Sequence, residues 1–315
     1  MAFNVSALAD YTAQNREPLI REAVLKPETV QYLTWQPGVK TTEKIHLLAT
    51  DVSFQDGTNC GFSASGSSTF TDREIVTGAI KVNTSWCHMD MLNKYAQYEV
   101  TLQAGAEKLP FEQEVVDGVV ADINGKLEKA IWQGDVTGSN TNVNTNKFDG
   151  FLKVINSASA SLASTGSYSI PTGSDQSYMY DTLRDVYLAI PDKAYEMGDP
   201  VIFVGKDEYR QFVQELVNKN LYHYDPATGE NGYMFPGTNV KVIAVNGLTG
   251  TGRIVGTVKE NMFYGFDVEG AENEFKLWFS NDDDVFKLKV LFNAGVQVAF
   301  PDLIAYWKRA DKSGN

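Results

Sequence analysis

The chain has 315 residues, 43% of them apolar and 12% aromatic, with a formal charge of −13 from 40 acidic and 27 basic side chains. That composition supports a full hydrophobic core in one large or two moderate domains and excludes intrinsic disorder. The acidic balance excludes a global basic face for gripping nucleic acid through its phosphates, and two cysteines, Cys60 and Cys87, are too few to staple a chain of this size.

A Cys60–Cys87 disulfide and two reduced thiols are both open. The N-terminus, MAFNVSALADYTAQNREPLI, lacks a basic start followed by an apolar run, so no secretory signal is expected. No stretch approaches about 18 consecutive apolar residues, so no membrane span is expected either, and synthesis is expected in the cytosol.

Residues 1–42 read as an extended arm with a short helix between Pro18 and Pro27, since prolines at that spacing interrupt a longer one. Residues 43–78 read as two strands around a polar middle, from Asp51 to about Ser68, rich in Gly, Ser, Thr and Asp. A polar insert of that length is uncommon in a closed domain, so it is either a mobile hairpin or a segment lying on something outside its own subunit. HMDMLNKYAQYEVTLQA then places Met89, Leu92, Tyr95, Ala96 and Val100 at helical spacing.

Pro110 opens a longer pattern, PFEQEVVDGVVADINGKLEKAIWQ. Proline in the first turn, with Glu112 and Glu114 behind it, fits a helix start. Phe111, Val115, Val119, Ile123, Leu127 and Ile131 recur every four residues, and Val116, Val120 and Ala130 widen the stripe. Such a helix spans about 35 Å. Gly118 and Gly125 share a face roughly opposite the stripe, where each costs about 1 kcal/mol relative to alanine. They are either tolerated at exposed sites, or mark a helix that bends or is approached closely by another backbone.

Residues 137–177 are mostly Ser, Thr, Asn, Gly and Ala apart from KFDGFLKVI, and connect rather than pack. An α/β region follows. SYMYDTLRDVYLAIP carries Tyr180, Leu183, Val186, Tyr187 and Ile190 on one helical face and stops at Pro191. DPVIFVG is a short strand. KDEYRQFVQELVNKN is a helix with Tyr209, Phe212, Val213, Leu216 and Val217 inward, and TNVKVIAVNGL is a strand. The last part reads as antiparallel strands; in DVFKLKVLFNAGVQVAF, Phe286, Leu288, Val290 and Phe292 alternate with Lys287 and Lys289.

Catalytic motifs are not found. GFSASG has Ser65 where a nucleophile elbow needs glycine. His46, His88 and His223 sit in no metal motif, and Cys87, His88 and Asp90 lack a fourth ligand. GLTGTGR is followed by a strand rather than the helix a phosphate loop requires, VGKDEY has Asp207 where magnesium needs Ser or Thr, and NDDD lacks the calcium-loop pattern. No enzyme activity, cofactor, metal or site residue is expected. Abundant apolar material with no convergent catalytic set points to an interaction protein.

The order of elements resembles the major capsid proteins of tailed bacteriophages, with their Hong Kong 97-type fold. The resemblance runs over nearly the whole chain. It rests on a long helix ending in WQGDVTG, with Gly134, Asp135, Thr137 and Gly138, then on Gly150 and Phe151 after a short insert. Val136 stands where the family commonly has glycine. AGVQVAFPDLIAYWK is similar to the closing segment.

The resemblance implies an α+β fold with four parts: an N-terminal arm (1–42); an extension loop (43–78); a peripheral domain with a spine helix (79–147 and 253–292); and an axial domain (148–252 and 293–315). It implies self-assembly into hexamers and pentamers of an icosahedral shell around double-stranded DNA. It also implies portal, scaffolding and decoration or minor capsid proteins as partners, no sequence recognition of DNA, and residence in the virion after assembly in the host cytoplasm. A Lys–Asn cross-link known in some members cannot be matched here residue by residue. An encapsulin-type nanocompartment with the same fold and an acidic hydrolase are the alternatives.

Overall fold

The computed structural model describes residues 16–55, 65–87, 89–91, 93–94, 111–137, 141–171, 177–221, 232–267 and 275–312. The hairpin tip around Gly57, Cys60, His88, Pro110, Gly138, His223 and most of the helix expected after residue 88 lie outside them. In chain order the elements are α1 (Arg16–Leu25), β1 (Thr34–Pro37), β2 (Thr42–Val52), β3 (Gly66–Val76), β4 (Gly78–Cys87), α2 (Phe111–Gln133), α3 (Phe151–Ser157), β5 (Ser164–Tyr168), α4 (Met179–Ala189), α5 (Asp192–Met197), β6 (Pro200–Gly205), α6 (Lys206–Asn218), β7 (Gly232–Met234), β8 (Lys241–Val245), β9 (Arg253–Val258), β10 (Met262–Asp267), β11 (Lys276–Ser280), β12 (Val285–Val298) and β13 (Ala305–Arg309).

The helix α1 begins before Pro18 rather than after it. Proline in a first turn removes an N–H that has no helical acceptor, so it is tolerated there. Leu19, Ala23, Val24, Val30 and Leu33 are buried in the main core, and β1 pairs in parallel with β10. The expected arm over residues 1–42 is therefore corrected: residues 19–37 pack on their own subunit, because five apolar side chains there gain more from the core than from solvent.

The first sheet runs β1-β10-β12-β11, with β4 on the other side of β12. The central strand β12 buries Phe286, Leu288, Val290 and Phe292, as the alternation predicts, and continues through Val296 and Val298. Against this sheet lies α2, 23 residues long. Its buried ridge is Val116, Val120, Ile123, Leu127, Ala130 and Ile131, while Val115 and Val119 are half-buried. A strict every-fourth series drifts by about 40° per step around a helix, whereas alternating steps of four and three hold one face on the sheet.

The second sheet runs β5-β13-β9-β6-β8-β7. Strands β6 and β9 are buried along their whole length. Ile202 and Val204 pack with Met179, Leu183, Val186, Phe212 and Leu216 of α4 and α6, while Val201 and Phe203 face Ile131, Trp132 and Phe151. A strand covered on both faces needs apolar side chains at odd and even positions alike.

This corrects the expected domain boundaries. Strand β9 pairs with β6 and β13 in the second sheet, not in the first, and β12 holds the first sheet to Val298 rather than 292. The run RIVGTV is apolar on both faces, as a central strand between two layers requires; the alternation of β12 simply does not stop at Phe292.

In α6, Phe212 and Leu216 point inward as expected, but Val217 is exposed and two carboxylates, Glu208 and Glu215, are buried. Burial pushes Glu208 up to about 8, with Asp207 beside it adding to the rise. Glu215 caps α4: the backbone N–H groups of Tyr178, Met179 and Tyr180 donate to its carboxylate at 2.9, 2.9 and 2.8 Å. Those three donors have no acceptor inside their own helix, and the helix dipole favours an anion there. Glu215→Ala is expected to destabilise the chain by about 2–4 kcal/mol, read by chemical denaturation, because it leaves those N–H groups unpaired.

Candidate functional site

The two-stranded ribbon β2–β3 stands apart from both sheets. Its register is continuous from Thr42↔Val76 to Val52↔Gly66, eleven pairs in all, or about 35 Å of strand. Only its base is anchored. Ile45, Leu47 and Ile75 pack with Val39 and Ala299. Thr77 N–H donates to Thr41 O at 2.9 Å, and Gln297 Nε2 to Glu74 O at 2.6 Å. Beyond Leu47 no described residue of the ribbon is buried. Leu48 and Phe70 are cross-strand partners and are 55% and 79% exposed; Val52 and Phe54 are 69% and 99% exposed. Isolated two-stranded hairpins are marginal in water, and a cluster of exposed large apolar side chains marks an interaction surface. Charged groups line the same face nearer the base. His46 Nδ1 lies 2.8 Å from Asp72 and Lys44 lies 3.5 Å from it, and the His46 hydrogen bond holds Asp72 below the usual carboxylate range. Exposed pairs of this kind add little stability.

The second feature is the end of α2. Gly134 and Gly150 lie back to back, with Gly150 N–H donating to Gly134 O at 2.9 Å. A Cβ on Gly134 would sit 2.4 Å from Phe148 O, and one on Gly150 would sit 2.6 Å from Gly134 N. Only hydrogen fits in either place. Asp135 then fixes the exit of the chain. Its carboxylate accepts from Thr137 N–H (2.9 Å) and Thr137 Oγ1–H (2.6 Å) and pairs with Lys153 of α3. The Lys153 bond first, then Thr137, hold Asp135 down at about 2. Val136 N–H donates to Asp149 at 2.9 Å, and Phe151 packs against Trp132 with ring centroids 5.4 Å apart. The residues quoted from this motif thus form one turn that hands the chain from the long helix to the second sheet, except Gly138, which is not described.

Gly118 and Gly125 are exposed, and a Cβ at either meets nothing within 4 Å. No backbone of the same described chain approaches them. Replacing both by alanine is expected to stabilise the isolated subunit by about 1 kcal/mol each, read by thermal and chemical unfolding.

The other sequence candidates do not converge. Cys87 is free and exposed at the end of β4, and His46 sits on the ribbon. Gly247 to Arg253 form a turn leading into β9, where Asp207 accepts from Gly250 N–H at 3.2 Å. Asp283 pairs with Lys287 across the 281–284 turn. Among the described residues no group of His, Cys, Asp and Glu could hold a metal ion, and no helix is long and apolar enough to cross a membrane.

No protein-family model and no curated protein sequence matches the chain. Solved structures do. A chain of the satellite phage P4 procapsid, whose structure includes the size determination (Sid) protein, is 12% identical with a TM-score of 0.63 over 95% of this chain and 92% of that one. A chain of the capsid of Myoviridae phage XM1 is 12% identical with a TM-score of 0.54, over 90% and 92%. A chain of the capsid of an empty GTA particle is 12% identical with a TM-score of 0.54, over 90% and 96%. The chain has the Hong Kong 97-type capsid fold. The ribbon is an appendage of the first sheet, and the Gly134–Gly150 turn joins the long helix to the second sheet.

Proposed function

We propose that the chain is a major capsid protein, the structural subunit of a closed icosahedral shell built from hexamers and pentamers around double-stranded DNA. The observation that carries this reading is the ribbon: eleven residue pairs whose outer half buries nothing among the described residues and, with Phe54 just beyond it, presents Leu48, Val52 and Phe70 to solvent. Such a surface finds burial on a copy of the same chain, and a closed symmetric lattice gives every copy a neighbour. Many modest contacts of this kind make a shell far tighter than any one of them.

In this reading the ribbon is the extension loop. The first sheet with α2 is the peripheral domain, the second sheet with α4 and α6 is the axial domain, and the subunit is structural rather than catalytic. The charge of −13 supports containment over recognition, since a strongly basic lining would hold the genome by counterion release. Portal, scaffolding and decoration or minor capsid proteins are its partners, and it assembles in the host cytoplasm and resides in the virion.

Purified protein examined by electron microscopy with and without nuclease treatment tests the proposal. Regular shells that protect duplex DNA are expected. Cages filled with enzyme would move the assignment to a nanocompartment, and a stable monomer of about 35 kDa in size-exclusion chromatography would end it.

A further inference from the structure

Beneath the junction lies a buried polar cluster that the shell reading does not use. The segment after α1 crosses the end of α2 at Glu28 and Thr29. Glu128, 2% exposed, accepts from the backbone N–H of Thr29 at 3.0 Å and from the Thr29 hydroxyl. Trp132 Nε1–H donates to the same hydroxyl oxygen at 2.7 Å. One residue earlier, Glu28 reaches the layer of the second sheet at the start of α6 and the turn after β8, pairing with Lys206 Nζ at 2.7 Å and accepting from Asn246 N–H at 3.3 Å. Gln133 Nε2 donates to Gly247 O at 2.6 Å. Two adjacent residues therefore tie the N-terminal segment to the long helix and to the second sheet at once.

Glu128 is an expensive way to make that tie. It sits in the cluster that contains Leu127, Ile131, Trp132 and Phe203, where an ionised carboxylate loses its hydration. The groups that face it are Thr29 and Glu28 from the N-terminal segment, the Gly247 backbone from the turn after β8, and Tyr264 from β10, whose hydroxyl donates to Val24 O at 3.2 Å. Lys206, the cation of the cluster, pairs with Glu28. We propose that Glu128 is a proton-operated latch for the N-terminal segment: protonated, it holds Glu28 and Thr29 on the helix end, and ionised, it loosens them and the tie between the helix and the second sheet.

The direction follows from burial. Desolvation, with the like charge of Glu28 adding to it, raises the Glu128 carboxyl above its ordinary value, while the Thr29 and Gly247 hydrogen bonds act against the rise. A carboxyl raised by folding contributes stability that is complete below its unfolded value and is lost as pH rises through its folded value. Acid closes the latch and alkali loosens it.

Hydrogen exchange on the full chain tests this, read as protection of the amides of residues 28–33 relative to those of β12 so that intrinsic exchange cancels. Relative protection is expected to fall as pH rises through the raised folded value of Glu128, and to stay flat in Glu128→Gln, whose amide cannot titrate. In Thr29→Val the carboxylate loses the hydroxyl donor that stabilises its ionised form, so the fall moves to higher pH; this variant decides the matter should Glu128→Gln fail to fold. Relative protection independent of pH in the parent overturns the proposal. So does an unchanged fall in Glu128→Gln, or an unmoved fall in Thr29→Val. The readout is local to the subunit, so it stands or falls separately from the shell reading.

Discussion

Leu48→Asp combined with Phe70→Asp is expected to leave the subunit folded and to abolish shells. Both side chains are already exposed and oppose each other across the ribbon, so the change removes nothing from the subunit's own core. The cost to folding is expected to stay within about 1 kcal/mol, the range of ordinary surface substitutions. On a neighbouring copy the same two side chains would each be worth about 1.5–3 kcal/mol when buried, and aspartate there adds an unpaired charge. In the proposed shell the loss would recur at every interface, so the assembled state would fall by many orders of magnitude while the subunit's unfolding curve barely moves. Size-exclusion chromatography and electron microscopy read the first quantity and circular dichroism the second. Intact shells from the double variant would place the assembly surface elsewhere, and an unfolded double variant would show that the ribbon packs on its own subunit.

Gly134→Ala and Gly150→Ala are each expected to be strongly damaging methyl additions. Each Cβ would lie well inside contact distance of backbone atoms: Phe148 O and Ala130 O for Gly134, and Gly134 N and Trp132 O for Gly150. Backbone cannot rotate away as a side-chain tip can. The two segments must separate, breaking the Gly150 N–H to Gly134 O bond and unseating Phe151 from Trp132. A cost of about 3 kcal/mol or more follows for each, read as a shift in the denaturation midpoint. Gly118→Ala is the internal control: the same chemical change, on the same helix, where the new methyl meets nothing. A destabilisation of Gly134→Ala no larger than that of Gly118→Ala would remove the junction from the account.

Much of the fold is legible in the sequence wherever one face of an element is apolar. The alternation of Phe286, Leu288, Val290 and Phe292 yields β12, and the apolar stripe yields α2. Pro191 follows the helix that ends at Ala189. What is not legible depends on partners far along the chain. Glu128, Glu208 and Glu215 carry charges, and periodicity assigns charges to solvent. The burial of Glu128 follows from Thr29, 99 positions away, and that of Glu215 from a helix end that needs an acceptor. One signal was available: Glu128 falls between Leu127 and Ile131 inside the apolar stripe, and a carboxylate in such a stripe asks for a donor.

Strand β9 is a short apolar run, which fits either sheet; pairing decides which. The four residues of β1 end in proline and resemble a loop, yet an edge strand tolerates proline. The junction was readable only as a motif. That Gly134 and Gly150 touch cannot be deduced from their spacing, because the intervening insert could place them at many separations.

The central positions of β12 and β13 carry a consequence for biosynthesis. Strand β12 lies between β4 on one side and β10 and β11 on the other, and β13 lies between β5 and β9. Both sheets therefore wait for residues 285–309. As the polypeptide leaves the ribosome, neither half can close around its middle strand until that stretch has emerged. A message truncated before that point yields a chain with two gapped sheets, food for proteases.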